Sequence, residues 1–124
     1  MKPFLLVMVP VSMFAFATVV AAADVIPGEV MYQDGAVAAS LSGAAGDADA
    51  GKKVMTTRSL GNCVACHQVD ALSSAAFHGN VGPTLNGAAS RWTEAQLRGI
   101  VADSKKTFEG SMMPSFYKKS GYIR

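Results

Sequence analysis

The sequence predicts an all-α fold, one small helical domain behind an export leader. Three observations carry this. Two stretches, 47–60 and 93–104, combine helix caps with helical apolar spacing; no segment alternates apolar and polar residues as a half-buried strand would; and no internal repeat or coiled-coil pattern runs through the 124 residues.

The chain opens with Met1-Lys2, an uncharged apolar run from Phe4, and Ala21-Ala22-Ala23. Positive charge, apolar core and small-residue exit in that order make residues 1–23 a secretory signal peptide, with cleavage expected after Ala23. A retained anchor is the competing reading, because the run from Phe4 to Ala23 is just long enough to span a bilayer. Small residues at both Ala21 and Ala23 favour cleavage. The remaining 24–124 form one domain whose apolar core alone is marginal, so a further source of stability is expected.

The full chain has 11 basic and 9 acidic residues, a balance that by itself says little about partners. The distribution says more: 24–90 hold three basic and six acidic groups, whereas 91–124 hold seven and three. Lys105, Lys106, Lys118 and Lys119 are candidates for a positive rim that steers an acidic partner, against the plainer reading that they keep the surface soluble.

Residues 24–46, rich in Ala, Gly and Ser with few large apolar side chains, are expected to be an extended N-terminal arm. Such an arm could lie along a partner. Asp47 or Asp49 then caps a first helix running to about Leu60, closed by Gly61-Asn62. Residues 68–92 contain Gly79, Gly82-Pro83 and Gly87 without a sustained period and are expected to be a structured loop around a ligand. Thr93 with Gln96 predicts a capping box for a second helix, with Leu97, Ile100 and Val101 on one face and an end near Ser104. Lys105 to Arg124, with Gly110, Pro114 and Gly121, is expected to be irregular.

Between the helices lies Cys63-Val64-Ala65-Cys66-His67, a C-x-x-C-H motif. Cysteines three positions apart fall on one side of a helical turn, where each thiol can add across a haem vinyl to form a thioether, and the adjacent His67 can then bind the iron. One covalent haem is therefore expected on Cys63 and Cys66, and its apolar body would supply what the small core lacks. A disulfide, a thioredoxin-like dithiol and a zinc site are the alternatives. The second expects a β-α-β context that the sequence does not offer, and the third lacks a second ligand pair, since His78 is the one further histidine and is expected to be a loop residue. For the sixth iron position Met113 is the candidate, because Pro114 forces its predecessor out of helical geometry onto an extended loop; Met112 is the runner-up. With two axial ligands and no acid, base or nucleophile pair nearby, the expected chemistry is outer-sphere one-electron transfer, and no catalytic residue is expected on this chain. A colourless, non-haem C-x-x-C oxidoreductase is the reading from another class.

The capped helix containing Gly51, the C-x-x-C-H motif, Gly82-Pro83 and the late Met113-Pro114 together resemble class I cytochromes c. The resemblance implies a class I cytochrome c fold around one covalent haem, occupying 47–124, in which the Pro83 carbonyl accepts the other ring proton of His67. It also implies haem-propionate contacts at Arg91 and Trp92. A narrower likeness covers most of 24–124. Gly35 to Gly43, Leu60 to Cys63, Gly79 to Pro83, Leu97 to Val101, Lys105 to Thr107 and Met113 to Tyr117 are similar to the SoxX family, the monohaem subunits of bacterial thiosulfate-oxidising Sox systems. What that implies is a periplasmic heterodimer with the haem protein SoxA, which holds the catalytic centre, while this chain passes electrons to a soluble acceptor. A free-standing cytochrome c that serves an oxidase is the alternative. One departure stands out: the family continues after the methionine loop into a C-terminal helix, but few residues follow Met113, so the fold is expected to lack that helix and the sequence to be a truncated one, the alternative being that another chain covers the gap.

Overall fold

The computed structural model describes residues 24–121, so the expected signal peptide at 1–23 lies outside the described residues, as do the last three. Three helices, α1 (Ala48–Thr56), α2 (Ala88–Arg91) and α3 (Glu94–Asp103), are separated by irregular segments containing short 3-10 turns at Pro27–Glu29, Cys63–Ala65, Asp70–Leu72 and Ser104–Lys106. Among the described residues the β-type pairing is confined to one isolated bridge, Gln33 with Ala36. No helix among them is long and apolar enough to cross a membrane.

Asp47 caps α1 by accepting the Ala50 N–H at 2.9 Å. The helix expected to reach Leu60 stops at Thr56, and Thr57 is already extended. Two β-branched threonines stand at this point, and the Thr56 hydroxyl donates back to the Lys52 carbonyl at 2.9 Å, a bond that weakens and bends a helix end. After a further turn, Gly61 and Asn62 both donate to the Val54 carbonyl at 3.1 Å. They do close the helix, from one turn further along, with Asn62 in the left-handed region at φ 49°.

Thr93 and Gln96 form the expected capping box: the Gln96 N–H donates to the Thr93 hydroxyl at 3.3 Å, and the Thr93 N–H donates to Gln96 Oε1 at 2.9 Å. The helix ends at Asp103, with Ser104 as its C-cap. Its most buried face is not the expected apolar one. Gly99 and Ala102 are buried, whereas Leu97 and Ile100 are half-buried and Val101 is exposed.

The cause is the segment 24–46, which lies along α3. A Cβ on Gly99 would overlap the Gly35 carbonyl oxygen, so the two backbones meet where no side chain fits. The Val37 N–H donates to the Ala95 carbonyl at 2.9 Å, and the Arg98 guanidinium donates to the Val37 and Ala38 carbonyls at 2.6 and 3.1 Å. At the start of the segment, the Tyr117 hydroxyl donates to the Val25 carbonyl, joining it to the far end of the chain. Among the described residues few apolar side chains are buried: Val37, Val64, Leu72 and Ala102. α1 buries none.

Candidate haem site

The Cys63 carbonyl accepts the N–H groups of Cys66 and His67 at 3.1 and 3.0 Å, winding the three motif residues into a single tight turn. Cys63 and Cys66 form no disulfide. Burial pushes the Cys63 thiol above its ordinary pKa, and the neighbouring Cys66 adds to the effect. That shift runs opposite to the lowered pKa that activates the thiolate of a C-x-x-C oxidoreductase. Among the described residues no group of three or more His, Cys, Asp or Glu is placed to hold a metal ion, so the zinc alternative lacks its ligand set.

A second strand of chain runs beside the motif in the same direction. The N–H groups of Gly79, Gly82 and Leu85 donate to the carbonyls of Val64, Cys66 and Gln68 at 2.8, 2.8 and 2.9 Å. Gly82 meets the His67 ring so closely that a Cβ there would overlap it. The Pro83 carbonyl consequently lies 2.7 Å from His67 Nδ1. A carbonyl only accepts, so Nδ1 carries the proton and Nε2 presents its lone pair.

Further bonds hold the loop that follows Pro83. Asp70 N–H donates to Asn86 Oδ1 at 2.9 Å, Gln68 Nε2 donates to Asp70 Oδ1 at 2.8 Å, and Arg91 donates to the carbonyls of Asn86 and Thr84 at 2.6 and 3.2 Å. Arg91 thus clamps the loop that follows Pro83, a role that the sequence did not reveal. Trp92, paired with it on resemblance, packs edge-on against Phe108 at 5.7 Å. Both nitrogens of His78 are engaged by backbone: Nδ1 accepts the Val69 N–H at 3.3 Å and Nε2 donates to the Leu72 carbonyl at 3.2 Å.

Met113 is half-buried on the loop after α3, whereas Met112 is 82 % exposed. The loop is sewn to the end of α3. Phe116 and Tyr117 N–H groups donate to the Val101 and Ala102 carbonyls at 3.4 and 3.1 Å, and the Ser115 hydroxyl donates to Asp103 Oδ1 at 2.6 Å. The Met113 carbonyl accepts from Ser104 Oγ at 3.0 Å and from Lys105 Nζ at 2.9 Å, and its N–H donates to Ser111 Oγ at 3.3 Å. Lys105 is therefore tied to the methionine loop, Lys106 lies 5.8 Å from the Tyr32 ring centroid, and Lys118 donates to the Gly121 carbonyl at 2.7 Å. Three of the four candidate steering lysines have partners within the chain.

Two thiols in one turn and an imidazole in the tautomer that presents Nε2 are the donor set that haem c requires. Leu60, Val81 and Val101 are each more than half exposed. The cytochrome c family model matches residues 48–122. The chain belongs to the cytochrome c family. A chain of the crystal structure of SoxXA from P. pantotrophus is 57 % identical to this one, with a TM-score of 0.78, covering 82 % of this chain and 74 % of that chain. No curated protein matches the sequence. This cytochrome c is SoxX-like and of class I, carries covalently attached haem c, and is an electron-transfer cytochrome subunit.

Proposed function

We propose that this cytochrome is the electron-accepting subunit of a periplasmic thiosulfate-oxidising complex, in which Cys63 and Cys66 would hold the haem as thioethers and His67 and Met113 would bind its iron. The 57 % identity to a chain of SoxXA carries the assignment to the complex. The His67–Pro83 hydrogen bond at 2.7 Å supports the proximal ligand, and the outward position of Met112 favours Met113 over it. Residues 1–23 direct export and are removed, 24–46 form the N-terminal arm, and 47–124 form the cytochrome domain.

When bound, haem supplies a one-electron couple. The chain's own residues determine how it is used. Pro83 holds His67 in one tautomer and one ring orientation, so Nε2 is aimed without a reorganisation cost. Met113 offers a soft thioether that donates little charge to ferric iron and raises the potential relative to a second imidazole. The electrons would come from sulfur chemistry on a SoxA-type haem partner.

Two experiments test the reading. Purified from its native host, the protein is expected to bring a second haem protein with it and to become reduced when thiosulfate and the carrier protein are added. A solitary cytochrome unreactive in that mixture would overturn the placement in the complex. Haem should also resist acid-acetone extraction, and this resistance should vanish in the Cys63→Ala, Cys66→Ala double variant.

A further inference from the structure

Ser104 is the one fully buried polar residue described, 1 % exposed, and the iron-ligand assignment above makes no use of it. Its hydroxyl donates to the Met113 carbonyl at 3.0 Å and lies 3.1 Å from the hydroxyl of Ser111. A serine has a single proton to donate. The Ser104 hydroxyl faces both acceptors and shares that proton between the Met113 carbonyl and Ser111 Oγ. Ser111 Oγ in turn accepts the Met113 N–H at 3.3 Å. The result is a closed ring: the Met113 N–H donates to Ser111 Oγ, and the Ser104 hydroxyl bridges Ser111 Oγ and the Met113 carbonyl. Both backbone polar groups of a single methionine are tied off by one two-hydroxyl relay.

Only one side of this ring stands on regular structure. Ser104 is the C-cap of α3 and begins the following 3-10 turn, so its position is set by the helix. Ser111 belongs to the loop itself. We propose that Ser104 and Ser111 are positioning residues for the Met113 sulfur, fixing that residue's backbone against the end of α3 so that the thioether stays on iron in the ferric state. The proposal rests on Met113 being the axial ligand. A ring that fixes both N–H and C=O removes rotation about the backbone on either side of Cα, leaving the side-chain torsions as the sulfur's only freedom. Lys105 Nζ, which also reaches the Met113 carbonyl at 2.9 Å, adds charge assistance from the solvent side.

The test uses full-length holoprotein as wild type, Ser104→Ala, Ser111→Ala, the double variant and Met113→Ala. Imidazole is the probe, because it binds ferric iron only once the methionine has left. Ser104→Ala is expected to speed imidazole binding about tenfold, the effect of one lost hydrogen bond on local opening. It should also weaken the long-wavelength charge-transfer absorption of methionine-bound ferric haem. Ser111→Ala opens the same ring, so the double variant should bind imidazole little faster than either single one. Unfolding by denaturant serves as the control, since a purely structural role would lower stability without changing imidazole binding under native conditions.

Wild-type imidazole kinetics in both single variants, with the absorption lost in Met113→Ala, would overturn the positioning role and leave the ligand assignment standing. Absorption retained in Met113→Ala would overturn the ligand assignment, and the proposal with it. If Ser104→Ala does not accumulate, Ser111→Ala decides the matter, since its residue is only half-buried.

Discussion

The carbonyl oxygen of Pro83 sits 2.7 Å from Nδ1 of His67. Gly82, the residue before it, makes that distance attainable by leaving no side chain between the loop and the imidazole. Gly82→Ala should therefore force the loop and the ring apart. The expected cost is about 1–3 kcal/mol in denaturant unfolding of the holoprotein, the usual penalty for overpacking, together with a lower haem content. Unchanged stability and full haem loading would mean that the loop yields without strain.

Met113→Ala should abolish methionine ligation, lower the potential and open the ferric iron to imidazole, whereas Met112→Ala should change none of these, because Met112 is 82 % exposed. Absorption spectra and redox titration of the two variants decide this. Reversed behaviour would move the ligand by one position.

Arg98 holds residues 24–46 through the Val37 and Ala38 carbonyls. Arg98→Ala leaves the Val37 carbonyl, the more buried of the two, without its partner, which should cost about 1–3 kcal/mol. Limited proteolysis should then cut within 24–46 sooner than in wild type. Identical cleavage rates would show that the Val37–Ala95 backbone bond suffices.

α1 buries no residue, whereas α3 buries Gly99 and Ala102. Amide exchange in the holoprotein should be faster through 48–56 than through 94–103, roughly tenfold or more if local opening differs by about 1.4 kcal/mol. Equal protection would mean that α1 is covered by a surface not described.

Hydrogen bonds from Asn86 and then Gln68 hold the Asp70 carboxyl below its ordinary pKa of 3.8, and His78 adds to the lowering. Because the folded value is the lower one, this contribution to stability is complete above the unfolded value and fades as pH falls through the folded one, below 3.8. Asn86→Ala should raise the Asp70 titration midpoint measured by NMR. A midpoint that stays put would assign the lowering to Gln68 instead.

The local features were legible in the sequence. The Asp47 cap, the Thr93–Gln96 box and the C-x-x-C-H turn involve residues within a few positions of one another, where residue type alone dictates the bond. The end of α1 was misjudged because a Thr-Thr pair weakens a helix less predictably than a glycine or proline does. The four-residue α2 is too short to display a period. The Ser104–Ser111–Met113 ring and the Arg98 anchor to Val37 depend on which distant segments meet, and a serine at a helix end gives no warning of its partner. The Pro83 contact was foreseen through resemblance to a family, not through spacing.

The Ala65 backbone against Gly79, the His67 ring against Gly82 and the Gly35 backbone against Gly99 leave no room for a Cβ on any of these three glycines. In most small domains, ancestry is traced through the pattern of large apolar residues. Among the described residues few apolar side chains are buried, so the apolar pattern should drift more readily among descendants than the glycine spacings do. A search for remote kin weighted toward Gly79, Gly82 and Gly99 should find relatives whose hydrophobic pattern has already become unrecognisable.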